Sequence, residues 1–133
     1  MLGLTGRSHA QVTIRVGPDF PIQTIAAAAS LAKDGAVIEV QAGDYRGDVA
    51  VWTRNDVTVR AVGGRVRLMA DGAAAEGKAI WVTRGERMTV EGFDFSRARV
   101  PDRNGAGIRL EKGSLTVRDC TFTDNENGLL TSN

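Results

Sequence analysis

The sequence contains few of the residue types that carry catalytic or metal chemistry. It has one cysteine and one histidine in 133 residues, so it cannot form an internal disulfide. The histidine, His9, precedes the repeated part of the chain, which argues against histidine-based acid–base chemistry or metal binding in the repeats. We therefore expect no metal and no cofactor.

The sequence also has almost no net charge and no long hydrophobic run. The 17 basic residues are balanced by 16 acidic ones, and a net charge of +1 leaves no electrostatic footprint for nucleic acid or a membrane surface. No apolar run approaches the ~20 residues of a membrane-spanning helix. We therefore expect neither a nucleic-acid partner nor a membrane span.

A repeated strand pattern is the main positive signal. Four segments align without gaps and begin at residues spaced 19, 31 and 27 apart: IEVQA from Ile38, VTVRA from Val57, MTVEG from Met88 and LTVRD from Leu115. A strand that recurs every ~20–30 residues is typical of a solenoid. Glycine, at 16 residues, is abundant enough for the many turns that such a fold needs.

Alternation along these strands predicts columns of residues stacked on successive coils. Two columns are apolar: Ile38, Val57, Met88 and Leu115 in one, and Val40, Val59, Val90 and Val117 in the other. The opposite face carries Arg60, Glu91 and Arg118, which would form a ladder of alternating charge.

Further segments complete each predicted coil. A second strand family begins at Val49, Ala79, Gly107 and Gly128, and its predicted apolar column is Val49, Ile80, Ile108 and Leu129. A third strand position places Phe93 and Phe95 over Cys120 and Phe122, with a bend at Gly92 and Asp119. The pattern predicts an all-β, right-handed parallel β-helix, the handedness following the general crossover preference.

The two ends of the chain differ. PIQTIAAAASLAKDG predicts an α-helix that caps the N-terminal end, with an apolar stripe at Ile22, Ile25, Ala26, Ala29 and Ala32. We expect residues 1–11 to be a disordered tail or signal-peptide remnant, 12–35 a capping strand and helix, and 36–133 about four coils. No cap follows Asn133, so we expect either further coils of a longer parent chain or an end-to-end homodimer.

The segments FPIQTIAAAASLAKDGAVIEVQAGDYRGDVAV and GIRLEKGSLTVRDCTFTDNENGLL resemble the N-terminal cap with first coil, and the generic coil, of the pectin-lyase-like superfamily. This resemblance implies the fold of right-handed parallel β-helix proteins. That group includes lyases, hydrolases and epimerases of acidic polysaccharides, along with adhesins and phage tail proteins. No catalytic motif of those enzymes matches this sequence, so no site residue is transferred.

Asp94 and Asp119 are the candidate catalytic residues. On the predicted lattice their backbones lie one coil and two columns apart, about 8 Å. Inverting glycosidases hold an acid and a base ~6.5–9.5 Å apart, so the pair could supply both groups. The alternative, ordinary solvated carboxylates, stays open.

Trp81 and Arg109 are predicted neighbours on the outer face of the second strand family. With Asp102, Arg103 and Asn104 of the longest turn, they form a candidate substrate-binding platform for a sugar ring and its carboxylate. The alternative is that this turn packs over Trp81 only to cover it.

Two functional hypotheses follow. The first is a secreted or periplasmic bacterial protein that acts on, or binds, an acidic polysaccharide, as a lyase, hydrolase or epimerase if it is an enzyme. The second is a non-catalytic structural or adhesion module.

Overall fold

The computed structural model describes residues 11–131, so His9 and the tail predicted for residues 1–11 lie outside it except for Gln11. The chain contains one helix and eleven strands in the described part. They are β1 Thr13–Val16, α1 Ile25–Leu31, β2 Val37–Arg46, β3 Ala50–Trp52, β4 Thr58–Met69, β5 Ala79–Thr83, β6 Met88–Glu91, β7 Phe93–Ser96, β8 Ala106–Leu110, β9 Leu115–Arg118, β10 Thr121–Thr123 and β11 Asn127–Thr131.

The strands form two stacked sheets, and every pairing between these strands is parallel. Sheet A follows the order β1-β2-β4-β6-β9, with β7 and β10 continuing from the second half of β4. Sheet B has the order β3-β5-β8-β11. Because neighbouring strands in each sheet come from successive passes of the chain, the architecture is a parallel β-helix, as the sequence predicted.

The predicted inner columns are confirmed from the second coil onward. Val59 pairs with Val90, which pairs with Val117, and Met88 pairs with Leu115. The first coil is shifted by two residues, because Ile38 lies beside Val59 rather than Val57. A shift of two keeps each side chain on its own face, so the apolar pattern could not distinguish the two registers.

The corrected register extends the charge ladder on the outer face of sheet A. Its five positions are Arg15, Glu39, Arg60, Glu91 and Arg118. Glu39 forms ion pairs with Arg60 at 2.8 Å and with Arg15 at 3.6 Å. Alternating signs therefore avoid stacking like charges ~4.8 Å apart, although each exposed pair adds little stability.

In the second strand family, the predicted pairings of β3 with β5 and of β8 with β11 are confirmed, but the step from β5 to β8 was predicted one residue out of register. Ala50, Trp81, Ile108 and Leu129 share a column, and Val51, Val82, Arg109 and Leu130 share the next. A slip of one residue exchanges the two faces of a strand, so Trp81 points into the core instead of outward. The segment AIWV is apolar throughout, and its alternation therefore could not reveal which face is buried.

Aromatic rings fill the centre of the solenoid. Trp81 is fully buried, with ring centroids 5.1–5.2 Å from those of Trp52, Phe93 and Phe95. Phe95 stacks on Phe122 of the next coil at 5.1 Å and 6°, and the paired strands confirm the predicted third strand position. The large rings supply much of the apolar area that a narrow solenoid core can bury.

The helix lies at the N-terminal side and packs on β3 and β1, which is the position of a cap. Thr24 caps its first turn by accepting a hydrogen bond from Ala27 N at 3.1 Å. The Asp48 carboxylate accepts two more, from Ile25 N at 2.7 Å and Ala26 N at 2.9 Å. Ile25 is buried and Ala26 is exposed, so the apolar stripe runs slightly differently from the prediction.

A loop over residues 70–78 covers the outer face of sheet B. Ala75 bridges to Ala79 and packs with buried Val82. Ion pairs hold this loop: Arg84 contacts both Glu76 and Glu111, and Lys78 lies 2.5 Å from Glu111. This insertion explains why the coil between residues 59 and 90 is longer than its neighbours.

Candidate functional site

Asp94 and Asp119 are brought together by an arginine that the sequence patterns did not single out. Arg65 places Nη2 2.6 Å from Asp94 Oδ1 and Nη1 3.1 Å from Asp119 Oδ1. Arg65 Nη2 also donates to the Asp119 carbonyl at 2.8 Å, and Thr121 Oγ1 donates to Asp94 Oδ1 at 2.7 Å. One guanidinium therefore joins the two predicted catalytic carboxylates.

The local backbone geometry places the Asp94 and Asp119 side chains at one corner of the solenoid. Asp94 lies on the outer face of β7, in line with Arg67 and Thr121 of adjacent strands. Asp119 adopts φ 51° at the bend between β9 and β10, a left-handed conformation that aspartate tolerates better than most residues. Gly92 makes the corresponding bend one coil earlier with φ 88°, as predicted.

The two carboxylates have different environments. The Asp94 side chain is 23% exposed, whereas that of Asp119 is 76% exposed. The hydrogen bond from the Arg65 guanidinium lowers the pKa of Asp94, and the Thr121 hydroxyl adds to this effect. Asp94 is therefore ionised at neutral pH, which suits a base or a nucleophile and not a general acid. The acid–base role of the pair stays a prediction.

The lowered pKa of Asp94 predicts a pH-dependent contribution to stability. Replacing Asp94 with Asn should cost about 1–2 kcal/mol at neutral pH, because Arg65 loses its charged partner. The contribution is fully present above the unfolded-state pKa of about 3.9 and is lost as pH falls through the lower folded-state pKa. Urea unfolding of wild type and Asp94→Asn should therefore converge in strong acid.

The matched control for this prediction is Asp119→Asn. Its side chain is largely in water, so its loss should change the unfolding free energy by less than about 0.5 kcal/mol. Equal stability of Asp94→Asn and wild type at neutral pH would contradict the assignment of Asp94 as a structurally held anion.

A shallow groove of about 470 Å³ opens beside this cluster. Charged side chains from three coils line it together with glycine and alanine residues. The lining residues are Arg60, Ala61, Gly64, Arg65, Glu91, Gly92 and Asp119, and we call this the corner groove. The guanidinium groups of Arg60 and Arg65 lie beside the carboxylates of Glu91 and Asp119. Arg65 already donates to Asp94 and Asp119, so an anionic molecule gains Arg65 donors in exchange for the exposed Asp119.

The predicted sugar platform on sheet B is not assembled. Trp81 is fully buried in the core, so its placement on the outer face was wrong. Arg109 lies on the outer face as predicted, but it pairs with Val82 and Leu130 and approaches Glu111 at 3.5 Å. Trp81 and Arg109 therefore do not share a surface.

The loop that contributes the other predicted binding residues is held against the last coil. Asp102 and Arg103 are exposed at its tip, and Asn104 is half-buried. The Glu126 carboxylate accepts hydrogen bonds from Val100 N and Gly105 N, both at 2.9 Å. With Trp81 in the core, the loop tip has no aromatic partner of the kind predicted, and any binding role of its three residues stays a prediction.

Sequence patterns did not identify Arg65 because it lies in the irregular middle of β4, between the register positions of Val62 and Val66, where the column pattern is interrupted. Gly63 has φ 87°, and the bend there rotates Arg65 away from the alternation of the preceding residues. The sequence feature that could have indicated Arg65 is the Gly63–Gly64 pair, one coil before the bend at Gly92. Two glycines before an arginine indicate a turn that presents the arginine to the next coil.

Two properties of the described residues bear on partners. Within residues 11–131, no group of three or more His, Cys, Asp and Glu side chains could hold a metal ion. In the same range, no helix is long and apolar enough to cross a membrane.

Comparison with known proteins supports the fold. No protein-family model and no curated protein matches the sequence. A crystal structure of a pectin methylesterase variant in complex with a hexasaccharide is similar, with a TM-score of 0.52 and 14% sequence identity over 86% of this chain. The chain spans about half of that protein, 50% of its length. The protein thus has the parallel β-helix fold of pectin-lyase-like proteins.

Proposed function

We propose that this protein binds an acidic polysaccharide along the outer face of sheet A, in the corner groove. The observation that carries the proposal is the pair of guanidinium groups, Arg60 and Arg65, which line the groove beside glycine and alanine, together with an exposed carboxylate, Asp119, that a ligand can replace at Arg65. Guanidinium groups bind carboxylates through two parallel hydrogen bonds, which matches the uronate units of such polymers.

The exposure of Asp119 supports an exchange of partners at Arg65. Asp94 holds Arg65 from a partly buried position, whereas Asp119 reaches it from a side chain that is 76% exposed. A ligand carboxylate can displace Asp119 with little loss, because an exposed ion pair contributes only about 0–1 kcal/mol. Arg65 would then hold Asp94 on one side and a uronate on the other.

The regular rise of the coils supports a polymeric ligand. Successive outward positions repeat every ~4.8 Å along the solenoid axis, and Arg60 and Arg118 occupy alternate rungs of the charge ladder. A linear glycan with regularly spaced carboxylates can contact several rungs at once. The pectin methylesterase with a similar fold was crystallised with a hexasaccharide, which is consistent with this class of ligand. A secreted or periplasmic location is part of the proposal, because such polymers occur there.

The proposal extends to catalysis if the bound polysaccharide is also cleaved or modified. In that case ionised Asp94 acts as the base, and Asp119 is the second carboxylate of the pair. The second candidate function is a non-catalytic structural or adhesion module, which is favoured by the engagement of Asp94 with both Arg65 and Thr121.

Asp119→Asn separates these candidates because they predict opposite results. For a binding protein, removing the competing carboxylate should tighten uronate binding about threefold and leave no activity to lose. For an acid–base enzyme, the same change should abolish the formation of new unsaturated or reducing ends. Calorimetry and product analysis with polygalacturonate, alginate and neutral dextran provide both readouts.

Arg60→Gln tests the groove itself. We expect it to weaken uronate binding about tenfold, since a charged hydrogen bond to the ligand is lost. The matched control is Arg54→Gln, an exposed arginine that does not line the groove. Failure of wild type to bind any uronate polymer would refute the proposed function, and equal effects of the two variants would refute the groove.

A further inference from the structure

A second recess lies on the same outer face, toward the N-terminal end. It has a volume of about 300 Å³, and Phe20 and Val62 provide its apolar walls. Val62 is 45% exposed, which is unusual for a large apolar residue in this chain. Its register partner on β2 is Gln41, whose amide forms part of the lining.

The segment that carries Phe20 is held in place by hydrogen bonds. Gln41 Nε2 donates to Asp19 Oδ2 at 2.7 Å, and Phe20 N donates to the Gly17 carbonyl at 3.1 Å. Gly17 leaves no room for a side chain, since an added Cβ would lie 2.4 Å from Gln41 Oε1. The aromatic ring is therefore presented by a fixed turn, which lowers the entropic cost of binding a ligand against it.

The recess adjoins the corner groove. Glu39 lines the recess and forms a 2.8 Å ion pair with Arg60, which lines the groove. Val62 and Ala61 are adjacent on β4, one in each depression. A chain molecule that lies in the groove and enters the recess therefore passes over the Glu39–Arg60 ion pair.

We propose that Phe20 and Val62 form a platform that binds the apolar face of one sugar ring of the acidic glycan. The inference rests on the proposed function and adds a subsite to it. A pyranose ring has an apolar C–H face and a polar rim, and the recess matches both. Phe20 and Val62 contact the face, while Gln41 and Arg15, whose side chain is 66% exposed, reach the rim.

Charge and size favour a sugar over other occupants of this recess. The charged lining residues Arg15 and Glu39 have opposite signs, so the recess itself is electrically balanced and suits the uncharged C–H face of a sugar ring. A volume of about 300 Å³ is at the lower limit of small-ligand pockets, which suits one ring and not an amphipathic helix.

A series of ligand lengths tests the platform in the 133-residue chain. Calorimetry would compare a uronate disaccharide and a uronate hexasaccharide on wild type, Phe20→Leu and Val62→Ser. We expect wild type to bind the hexasaccharide more tightly than the disaccharide. Both variants should lower hexasaccharide affinity about five- to tenfold and leave disaccharide affinity unchanged. Phe20→Leu keeps apolar volume while removing the aromatic face, and Val62 is exposed enough for serine to be tolerated.

The outcomes distinguish the platform from the proposed function. Unchanged hexasaccharide affinity in both folded variants would overturn the platform while leaving the groove intact. Equal losses for the short and long ligands would also overturn it, because the platform would then not be a separate subsite. Absence of uronate binding by wild type would overturn both, and circular dichroism spectra that match wild type ensure that the variants are folded.

Discussion

Trp81→Ala is expected to lower the free energy of unfolding by about 3–5 kcal/mol, the largest effect predicted for this chain. Trp81 is completely buried, and its ring packs against three other aromatic rings on two faces of the coil. Deleting it removes a large apolar area and leaves a cavity that rigid stacked strands cannot close. A loss of this size is a large share of the ~5–15 kcal/mol typical of a domain.

Trp81→Phe is the matched control. Phenylalanine retains an aromatic ring, and it also removes the buried Trp81 Nε1–H, which has no hydrogen-bond partner among the described residues. We therefore expect a smaller loss, about 1–2 kcal/mol. Far-UV circular dichroism during urea unfolding measures all three proteins without relying on tryptophan fluorescence.

This experiment also decides between the two placements of Trp81. A residue on the outer face would lose little stability on truncation to alanine, within about 0.5 kcal/mol. It would instead lose glycan binding, as the sequence-based platform predicted. A stable Trp81→Ala protein with weakened binding would therefore contradict the register of sheet B.

The stacking of coils was predictable because each coil repeats the same chemistry. Val59, Val90 and Val117 occur in strands with an apolar residue two positions earlier and a charged residue one position later. This pattern sets both the face and the register from the second coil onward. Phe93 and Phe95 repeat as Cys120 and Phe122 for the same reason.

The predicted register was wrong where the sequence did not distinguish the inner face of a strand from its outer face. AIWV is apolar at every position because the loop over residues 70–78 buries its outer face as well. Alternation marks the inner face only when the outer face is polar. The covering loop is a tertiary feature, so nothing within the strand itself indicated that Trp81, and not Ile80, lies beside Ile108.

The candidate site was predictable only in part, for a related reason. Asp94 and Asp119 follow from the lattice, because both lie on or beside outward strand positions. Arg65 depends on how the chain turns at Gly63, and Phe20 depends on where the segment before the helix folds back. Side chains at corners and in connections do not follow the alternation that places strand residues in columns. The residues that complete the groove lie in those parts of the chain.

Gly85→Ala is expected to cost about 2–3 kcal/mol for a purely steric reason. An added Cβ would lie 1.9 Å from the carbonyl oxygen of Arg54 in the preceding coil. Backbone atoms cannot move aside as a flexible side chain could, so the two coils must separate locally. The backbone of Gly85 is not in the positive-φ region, which means that alanine could adopt its conformation if space allowed.

Two other glycines provide matched controls for this prediction. Gly72 has φ 84° with no atom within 4 Å of an added Cβ, so Gly72→Ala measures backbone strain alone, about 1 kcal/mol. Gly113 combines φ 84° with an added Cβ only 2.1 Å from the Gly85 carbonyl oxygen. If coil stacking limits stability, urea midpoints should fall least for Gly72→Ala, further for Gly85→Ala and furthest for Gly113→Ala. A loss for Gly85→Ala no greater than for Gly72→Ala would mean that the coils separate easily at this corner. The register that holds Arg60 and Arg65 beside one groove would then lack the rigid support that the close contact of the coils provides.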